Sequence, residues 1–339
     1  MSVAAAPAAV SRAKPLVEPA LQEAVHRLTP TLRQVVRYHF GWIEADGAPR
    51  ADGGGKMLRP ALVLLSAEAA GGPAERALPA AVAVELVHNF SLLHDDLMDG
   101  DVERRHRGTA WAVFGMPQAV LAGDALLALA SDVLLDSASP GERWEVRCLA
   151  AATRQLISGQ VDDVEFERRL DVTVDECLAM AAGKTSALLA CAASIGAIAV
   201  GGPGAVAVAL ADFGLHLGLA FQLVDDLLGI WGRPEVTGKP VLADLRSGKK
   251  SMPVVAALRS GAPSAARLAE LLADPGPRDE EDVVLAAKLV EEAGGREVTT
   301  AEADRQLTEA LRCLDSVPMD GRVHDELTEL ARFVTARDA

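Results

Sequence analysis

The sequence predicts an all-α protein, a single large helical bundle around a central cavity. Half of its 339 residues are hydrophobic, rich in Ala, Leu and Val, and only 4% are aromatic. Alternating apolar and polar runs, the mark of half-buried strands, are few, whereas apolar residues recur at helical spacings over long stretches. Two of those stretches, ending near Asp99 and Trp231, carry adjacent aspartates in their last turns. In a bundle, carboxylates delivered to one end of two helices can face each other across a hollow.

Taken in order, residues 1–15 are Ala- and Ser-rich, with Arg12 and Lys14 late and no continuous apolar core. They read as a disordered tail rather than a signal peptide, and residues 16–339 as one domain. Val17 to Leu28 and Pro30 to Ile43 show helical apolar spacing and are expected to pair antiparallel, covering the core or building a dimer surface. Ala45 to Gly55 is a glycine-rich loop. It ends at Lys56, with Arg59 one turn on. Cations at a helix N-terminus oppose its dipole unless an anion sits between them, and glycines let backbone approach such an anion. A solvated charge pair is the plainer alternative.

The organising helix runs from Glu75 to Asp99. Asp95 and Asp99 lie four apart on one face, with Asp96 turned by about 100°. Carboxylates this close repel unless a cation holds them, and an oxygen-only set suits Mg²⁺ shared with substrate phosphates. The alternative is a solvated acidic helix end; the apolar run before the acids argues for a core position instead. Arg104, Arg105 and Arg107 follow, and guanidinium forks match phosphate oxygens. His88, on roughly the face of Asp95, reads from spacing alone as a core histidine.

Met116 to Leu135 and Glu142 to Ile157 are further helices. Asp162 and Asp163, in GQVDDVEFE, lack an apolar setting and read as surface carboxylates. Val174 to Val200 holds Lys184 and Thr185 inside an Ala/Leu helix, where a lysine must snorkel out or meet an anion; the anion is favoured. Ala205 to Trp231 is the second acidic helix, with Gln222 one turn before Asp225 and Asp226. Gly232 to Lys250 is a long polar loop of the kind that often forms a lid. Beyond Ser251, helices including Asp279 to Ala293 and Thr300 to Leu314 read as structural cover.

A formal charge of −15 argues against a nucleic-acid surface or an anionic membrane as partner. Cys148, Cys177, Cys191 and Cys313 show no CxxC or zinc spacing and read as reduced thiols of a cytoplasmic protein. No apolar run is expected to be long and charge-free enough to span a bilayer, so no integral membrane segment is expected.

Seven words stand in order: GGKMLRP (Gly54 to Pro60), ELVHNFSLLHDDLMD (Glu85 to Asp99), ERR (Glu103 to Arg105), GKTSALL (Gly183 to Leu189), FQLVDDLLG (Phe221 to Gly229), TGKP (Thr237 to Pro240) and DLRSGKKSMPV (Asp244 to Val254). Together they make the chain similar, over nearly its whole length, to trans-isoprenyl diphosphate synthases of the polyprenyl synthetase family. The resemblance implies the isoprenoid synthase fold, a homodimer, and condensation of isopentenyl diphosphate with an allylic diphosphate (dimethylallyl, geranyl or farnesyl) by ionisation, condensation and elimination. It implies about three Mg²⁺ ions on Asp95, Asp96, Asp99, Asp225 and Asp226. Lys56, Arg59 and His88 would hold the isopentenyl diphosphate. Arg104 would meet the allylic diphosphate and Arg105 the isopentenyl one. Lys184, Lys239 and Lys249 would close on the allylic diphosphate, Thr185 and Gln222 would belong to the catalytic set, and Asp244 to the outer metal network.

By the same resemblance, Val87, Phe90 and Ser91 set product length. Phe90 stands five residues before Asp95, about 7.5 Å up the axis, as in enzymes that stop at geranylgeranyl diphosphate, with farnesyl diphosphate second. Four departures stand out. Met57 replaces a frequent basic residue, His106-Arg107-Gly108 replaces a Gly-x-Pro word, Gly229 replaces a third aspartate, and Leu242 replaces a glycine. Two other classes stay open: a class I terpene cyclase, which would not need Lys56 and Arg59, and a catalytically silent partner subunit.

Overall fold

The computed structural model describes residues 7–50, 55, 57–104, 106–137, 139, 141–232, 241–273 and 279–336. The helices are α1 (Ala8–His26), α2 (Pro30–His39), α3 (Leu58–Ala69), α4 (Leu78–Met98), α5 (Ala110–Phe114), α6 (Met116–Leu135), α7 (Glu142–Phe166), α8 (Val174–Ala181), α9 (Ala187–Ala199), α10 (Gly204–Trp231), α11 (Ala243–Ser247), α12 (Met252–Arg259), α13 (Pro263–Ala273), α14 (Glu280–Glu292), α15 (Gly295–Asp315) and α16 (Gly321–Thr335). A 3₁₀ turn (Ala74–Ala77) leads into α4, and a π-helical turn (Ala182–Ser186) joins α8 to α9. The only strands among the described residues are the two-residue pair β1 (Glu103–Arg104) and β2 (Arg107–Gly108). The all-α expectation holds.

Two expectations need correction. Residues 8–15, expected within a tail, are helical, because Ala9, Val10 and Ala13 continue the buried stripe of Val17, Leu21, Ala24 and Val25 along α1. Residues 1–6 lie outside the described set. Four helical spans, Ala74–Met98, Met116–Leu135, Val174–Ala199 and Gly204–Trp231, are in fact long and apolar enough by composition to cross a membrane. Two-thirds of the apolar window is buried inside the protein in the first and third. A helix that is apolar all round is what a core position also requires.

The chain divides into two compact units, one of residues 1–151, 191–211 and 317–330, the other of residues 152–190, 212–316 and 331–339. The first is built on α4, whose residues Ala80 to Val87 are all buried, packed by α1, α3 and α6. Its first and last helices are tied by ions: Arg12 on α1 donates to both carboxylate oxygens of Glu326 on α16, at 2.8 and 2.5 Å. Arg322 bridges Glu326 and Glu68 of α3.

The second unit has two apolar clusters. One gathers Ile230, Leu245, Val254, Leu268, Val283 and Leu289, with Leu242 against it. The other gathers Phe166, Cys177, Met180, Leu223, Met252 and Val255. Local signals set the helix starts here. Thr173 and Glu176 form a reciprocal capping box on α8, and Asp279 accepts from the Asp282 N–H to open α14, each satisfying donors the helix leaves unpaired.

Candidate active site

In the first unit, α4 carries the first acidic word to its C-terminal end. Asp95 is half-buried, Asp96 is 1% exposed, and Asp99 is exposed at the helix cap. The Arg104 Nε donates to Asp96 Oδ1 at 2.6 Å, while Oδ2 is buried with no hydrogen-bond partner. Burial pushes the Asp96 carboxyl above the usual carboxylate value, against the pull of Arg104. Its backbone oxygen accepts from Trp111 Nε1 and from the Asp101 N–H, both at 2.9 Å. The loop after α4 is thus folded back over the middle aspartate.

The hairpin pairs Arg104 with Arg107, and His106 occupies the left-handed region at φ +60°. Arg105 lies outside the described residues. The Arg107 guanidinium lies 4.3 Å from the centre of the Tyr38 ring and donates to the Tyr38 and Ile43 carbonyls, while Tyr38 Oη donates to the Gly108 carbonyl at 2.8 Å. The word that departs from the family pattern is therefore a clasp fixing the Arg104 hairpin to α2.

Arg59 and His88 come together at 3.3 Å. Burial lowers the Arg59 guanidinium to about 10, with nearby Glu85 opposing. The buried Glu85 accepts from Asn89 Nδ2 at 3.1 Å. Lys56 is outside the described residues; Met57, beside it, is a fully packed left-handed residue (φ +51°) immediately before α3. Of the product-length residues, Val87 and Phe90 are buried. Phe90 meets His94 edge-on at 4.9 Å, and Ser91 Oγ is turned to the His88 carbonyl.

In the second unit, the π turn widens the helix at Lys184 and Thr185. Such bulges recur at functional sites. This one meets α7 at Gly159, where an added Cβ would stand 2.8 Å from both Gly183 C and Met180 O. That approach lets Lys184 reach Asp163, and the two side chains form an ion pair with 17% and 12% exposure. The surface reading of Asp163 is thereby corrected. Helix α7 runs on to Phe166, past the expected end at Ile157, and turns Asp163 inward. The anion sought for Lys184 is this carboxylate.

Thr185 Oγ1 donates to Gln222 Oε1 at 2.5 Å, Gln222 Nε2 donates to Asp226 Oδ1 at 2.8 Å, and the Met252 N–H donates to Asp226 Oδ2 at 2.9 Å. Burial pushes Asp226 up to about 7, with Lys249 and the Met252 N–H pulling the other way and Asp244 adding to the rise. Asp225, its neighbour, is exposed, and the half-buried Lys249 donates its backbone N–H to the Asp244 carbonyl at 2.9 Å. Gly229 has a reason to lack a side chain. A Cβ there would crowd the whole Asp244 carboxylate, its farthest atom, Oδ1, at 2.8 Å. Leu242 is left-handed at φ +64° and precedes α11. Lys239 lies outside the described residues.

Sequence reasoning gave no role to Asp163, Glu85, Asn89 or Trp111. Gly159 and Asp163, four apart, share a helix face, a signal that a close helix crossing brings Asp163 to a partner. Trp111 carried none. Magnesium fits the donors seen here: Asp96 has an unpartnered buried oxygen, and Asp226 carries a desolvated carboxyl that a cation would stabilise in its charged form. Among the described residues no three His, Cys, Asp or Glu side chains form a closed metal cage. That suits an ion completed by phosphate and water.

The family model described as polyprenyl synthetase matches residues 43–290. A (2E,6E)-farnesyl diphosphate synthase of Mycobacterium tuberculosis is 50% identical over 96% of this chain and 91% of its own. A geranylgeranyl diphosphate synthase of the same organism is 45% identical over 98% and 94%. The crystal structure of a polyprenyl synthetase from Streptomyces coelicolor A3(2), 53% identical, superposes with a TM-score of 0.91 over 96% of this chain and 98% of the other. A geranylgeranyl pyrophosphate synthase from Corynebacterium glutamicum, complexed with isoprenyl diphosphate and magnesium, is 25% identical with a TM-score of 0.81 over 97% and 98%.

Proposed function

The chain belongs to the polyprenyl synthetase family and shares its all-α isoprenoid synthase fold, and on that premise we propose that it is a magnesium-dependent short-chain synthase. It condenses isopentenyl diphosphate with an allylic diphosphate and releases pyrophosphate. The observation that carries this reading is the hydrogen-bonded series Thr185, Gln222, Asp226 and the Met252 N–H, set in an apolar helical body. It links three of the family's words.

Asp95, Asp96, Asp99, Asp225 and Asp226 would hold magnesium, which when bound supplies positive charge against the charge building on the leaving pyrophosphate. Arg104 commits its Nε to Asp96, leaving the two terminal nitrogens of the fork to bind an allylic diphosphate oxygen pair. Arg59 and His88, with Lys56, bind the diphosphate of the second substrate. Lys184, Lys239 and Lys249 add charge to the departing group. Thr185 directs its hydroxyl proton to Gln222 and so offers lone pairs to the developing allylic cation. Apolar surroundings keep water from quenching that cation. The proton lost on elimination goes to a pyrophosphate oxygen, so the chain needs no general base.

For the product, the 50% identity to a farnesyl diphosphate synthase supports fifteen carbons, and Phe90 as a buried aromatic backed by His94 supports twenty. Farnesyl diphosphate is the first reading and geranylgeranyl diphosphate the second. Pairing of two copies through α6 is supported by its exposed Met116, Leu121 and Leu135.

The test is incubation of purified protein with labelled isopentenyl diphosphate, each allylic primer and Mg²⁺, followed by chain-length analysis. Pyrophosphate release with C15 or C20 product is expected, and Phe90→Ala is expected to lengthen it. No condensation with any primer, or hydrocarbon formed from geranylgeranyl diphosphate alone, would overturn the proposal.

A further inference from the structure

Cys148 and Cys191 are 43 positions apart, yet their sulfurs lie 3.6 Å from each other, within the first unit and on different helices, α7 and α9. Cys148 is half-buried and so reachable from solvent, while Cys191 is 2% exposed behind it. Ser194 Oγ stands 4.0 Å from the Cys148 sulfur. The hydrogen bond from Cys191 holds the Cys148 thiol below its ordinary value, and the same contact raises Cys191. One partner is thus an accessible thiol with thiolate character and the other a protected thiol within reach of it. A reactive cysteine beside a resolving cysteine has this arrangement. Cys177 and Cys313 are buried, and burial raises both thiols.

We propose that Cys148 and Cys191 form a reversible oxidation site, in which a peroxide oxidises Cys148 and Cys191 resolves it to an intramolecular disulfide joining α7 to α9. The Cys148 thiolate attacks the peroxide O–O bond. It becomes a sulfenic acid, and the leaving hydroxide takes a proton to become water. The Cys191 sulfur then displaces the sulfenic hydroxyl as a second water and forms the S–S bond. Two electrons leave the thiol pair and reduce the peroxide. The sulfurs must close to about 2.05 Å, a movement within reach of rotation about the two Cα–Cβ bonds. The crosslink lies on the helix that begins at the π turn, seven residues beyond Lys184, so oxidation pins the helix downstream of that lysine.

The test uses the intact wild-type protein, treated with a small excess of hydrogen peroxide and then alkylated and weighed. The expected product has lost two hydrogens, keeps two alkylatable thiols, yields one peptide pair linked through Cys148 and Cys191, and returns to four thiols with dithiothreitol. Its Tm should rise by several degrees, since a crosslink closing a loop of this length restricts the unfolded chain. Cys191→Ser should leave Cys148 as a sulfenic acid that dimedone traps. Four alkylatable thiols after treatment, oxidation of Cys148 that stops at sulfenic or sulfinic acid in the wild type, or a linkage joining two chains would each overturn the proposal.

Discussion

Replacing Gly229 by alanine probes the space that the Asp244 carboxylate fills. The added methyl would meet all three carboxylate atoms, and even the farthest, at 2.8 Å, is 0.6 Å inside the 3.4 Å at which ordinary contact begins. Forcing a group into packed space costs about 1–3 kcal/mol. Alanine in a helix otherwise gains up to about 1 kcal/mol over glycine, less near an end, and Gly229 is two residues from the end of α10. Gly229→Ala should therefore destabilise the protein by about 1 kcal/mol, yet stabilise it by roughly 0.5 kcal/mol once Asp244→Ala has emptied the space. Denaturant unfolding of the four proteins in metal-free buffer measures the coupling, expected at about 1.5 kcal/mol. Calorimetry with magnesium pyrophosphate should show weaker binding in the single glycine variant. Equal effects of Gly229→Ala in both backgrounds would refute the reasoning.

Lys184→Met leaves Asp163 largely enclosed without its cation. Because both side chains keep some exposure, the loss should be about 2–3 kcal/mol, the lower part of the range for breaking buried pairs; Asp163→Asn in the same chain should restore much of it, read by unfolding. Leu242 is held in a left-handed backbone conformation that a Cβ disfavours, so the usual order should invert there. Leu242→Gly should be more stable than Leu242→Ala by about 1 kcal/mol in thermal unfolding. The Arg12 hydrogen bond, aided by Arg322, holds Glu326 below its ordinary value of 4.5. The stabilisation from this shift is complete above that value and is lost as pH falls through the lower folded value. The stability gap between wild type and Glu326→Gln should accordingly be flat near neutrality and close below about pH 4.

The helical body was legible because its apolar residues repeat at helix spacing. The expected Met116 to Leu135 is α6 to the residue, and Ala205 to Trp231 misses α10 by one. The acidic words were legible as chemistry because charge at the end of an apolar run has few other uses. Their close partners were not. Asp163 looked solvated because its burial comes from a helix crossing at Gly159, which no local pattern announces. Arg107 looked like a departure from the family's loop, and only the position of Tyr38, some seventy residues upstream, gives it a role. The proximity of Cys148 and Cys191 was equally hidden by their separation in the chain. The three left-handed residues without glycine's freedom among the described residues, Met57, His106 and Leu242, all fall in words marked as departures. Unusual residues there coincide with unusual backbone.

The wide turn at Ala182–Ser186 has an implication for chain length. A helix that takes in one extra residue without breaking absorbs the surplus as a bulge, and α9 keeps its orientation only while the surplus stays. Deleting a single residue from this segment would convert it to ordinary α-helix and rotate everything downstream relative to everything upstream by about 100°. Gly196, which must face the Val63 carbonyl of α3, would be swung off its groove. Substitutions in this segment are tolerable in principle, but a one-residue indel is a change of phase.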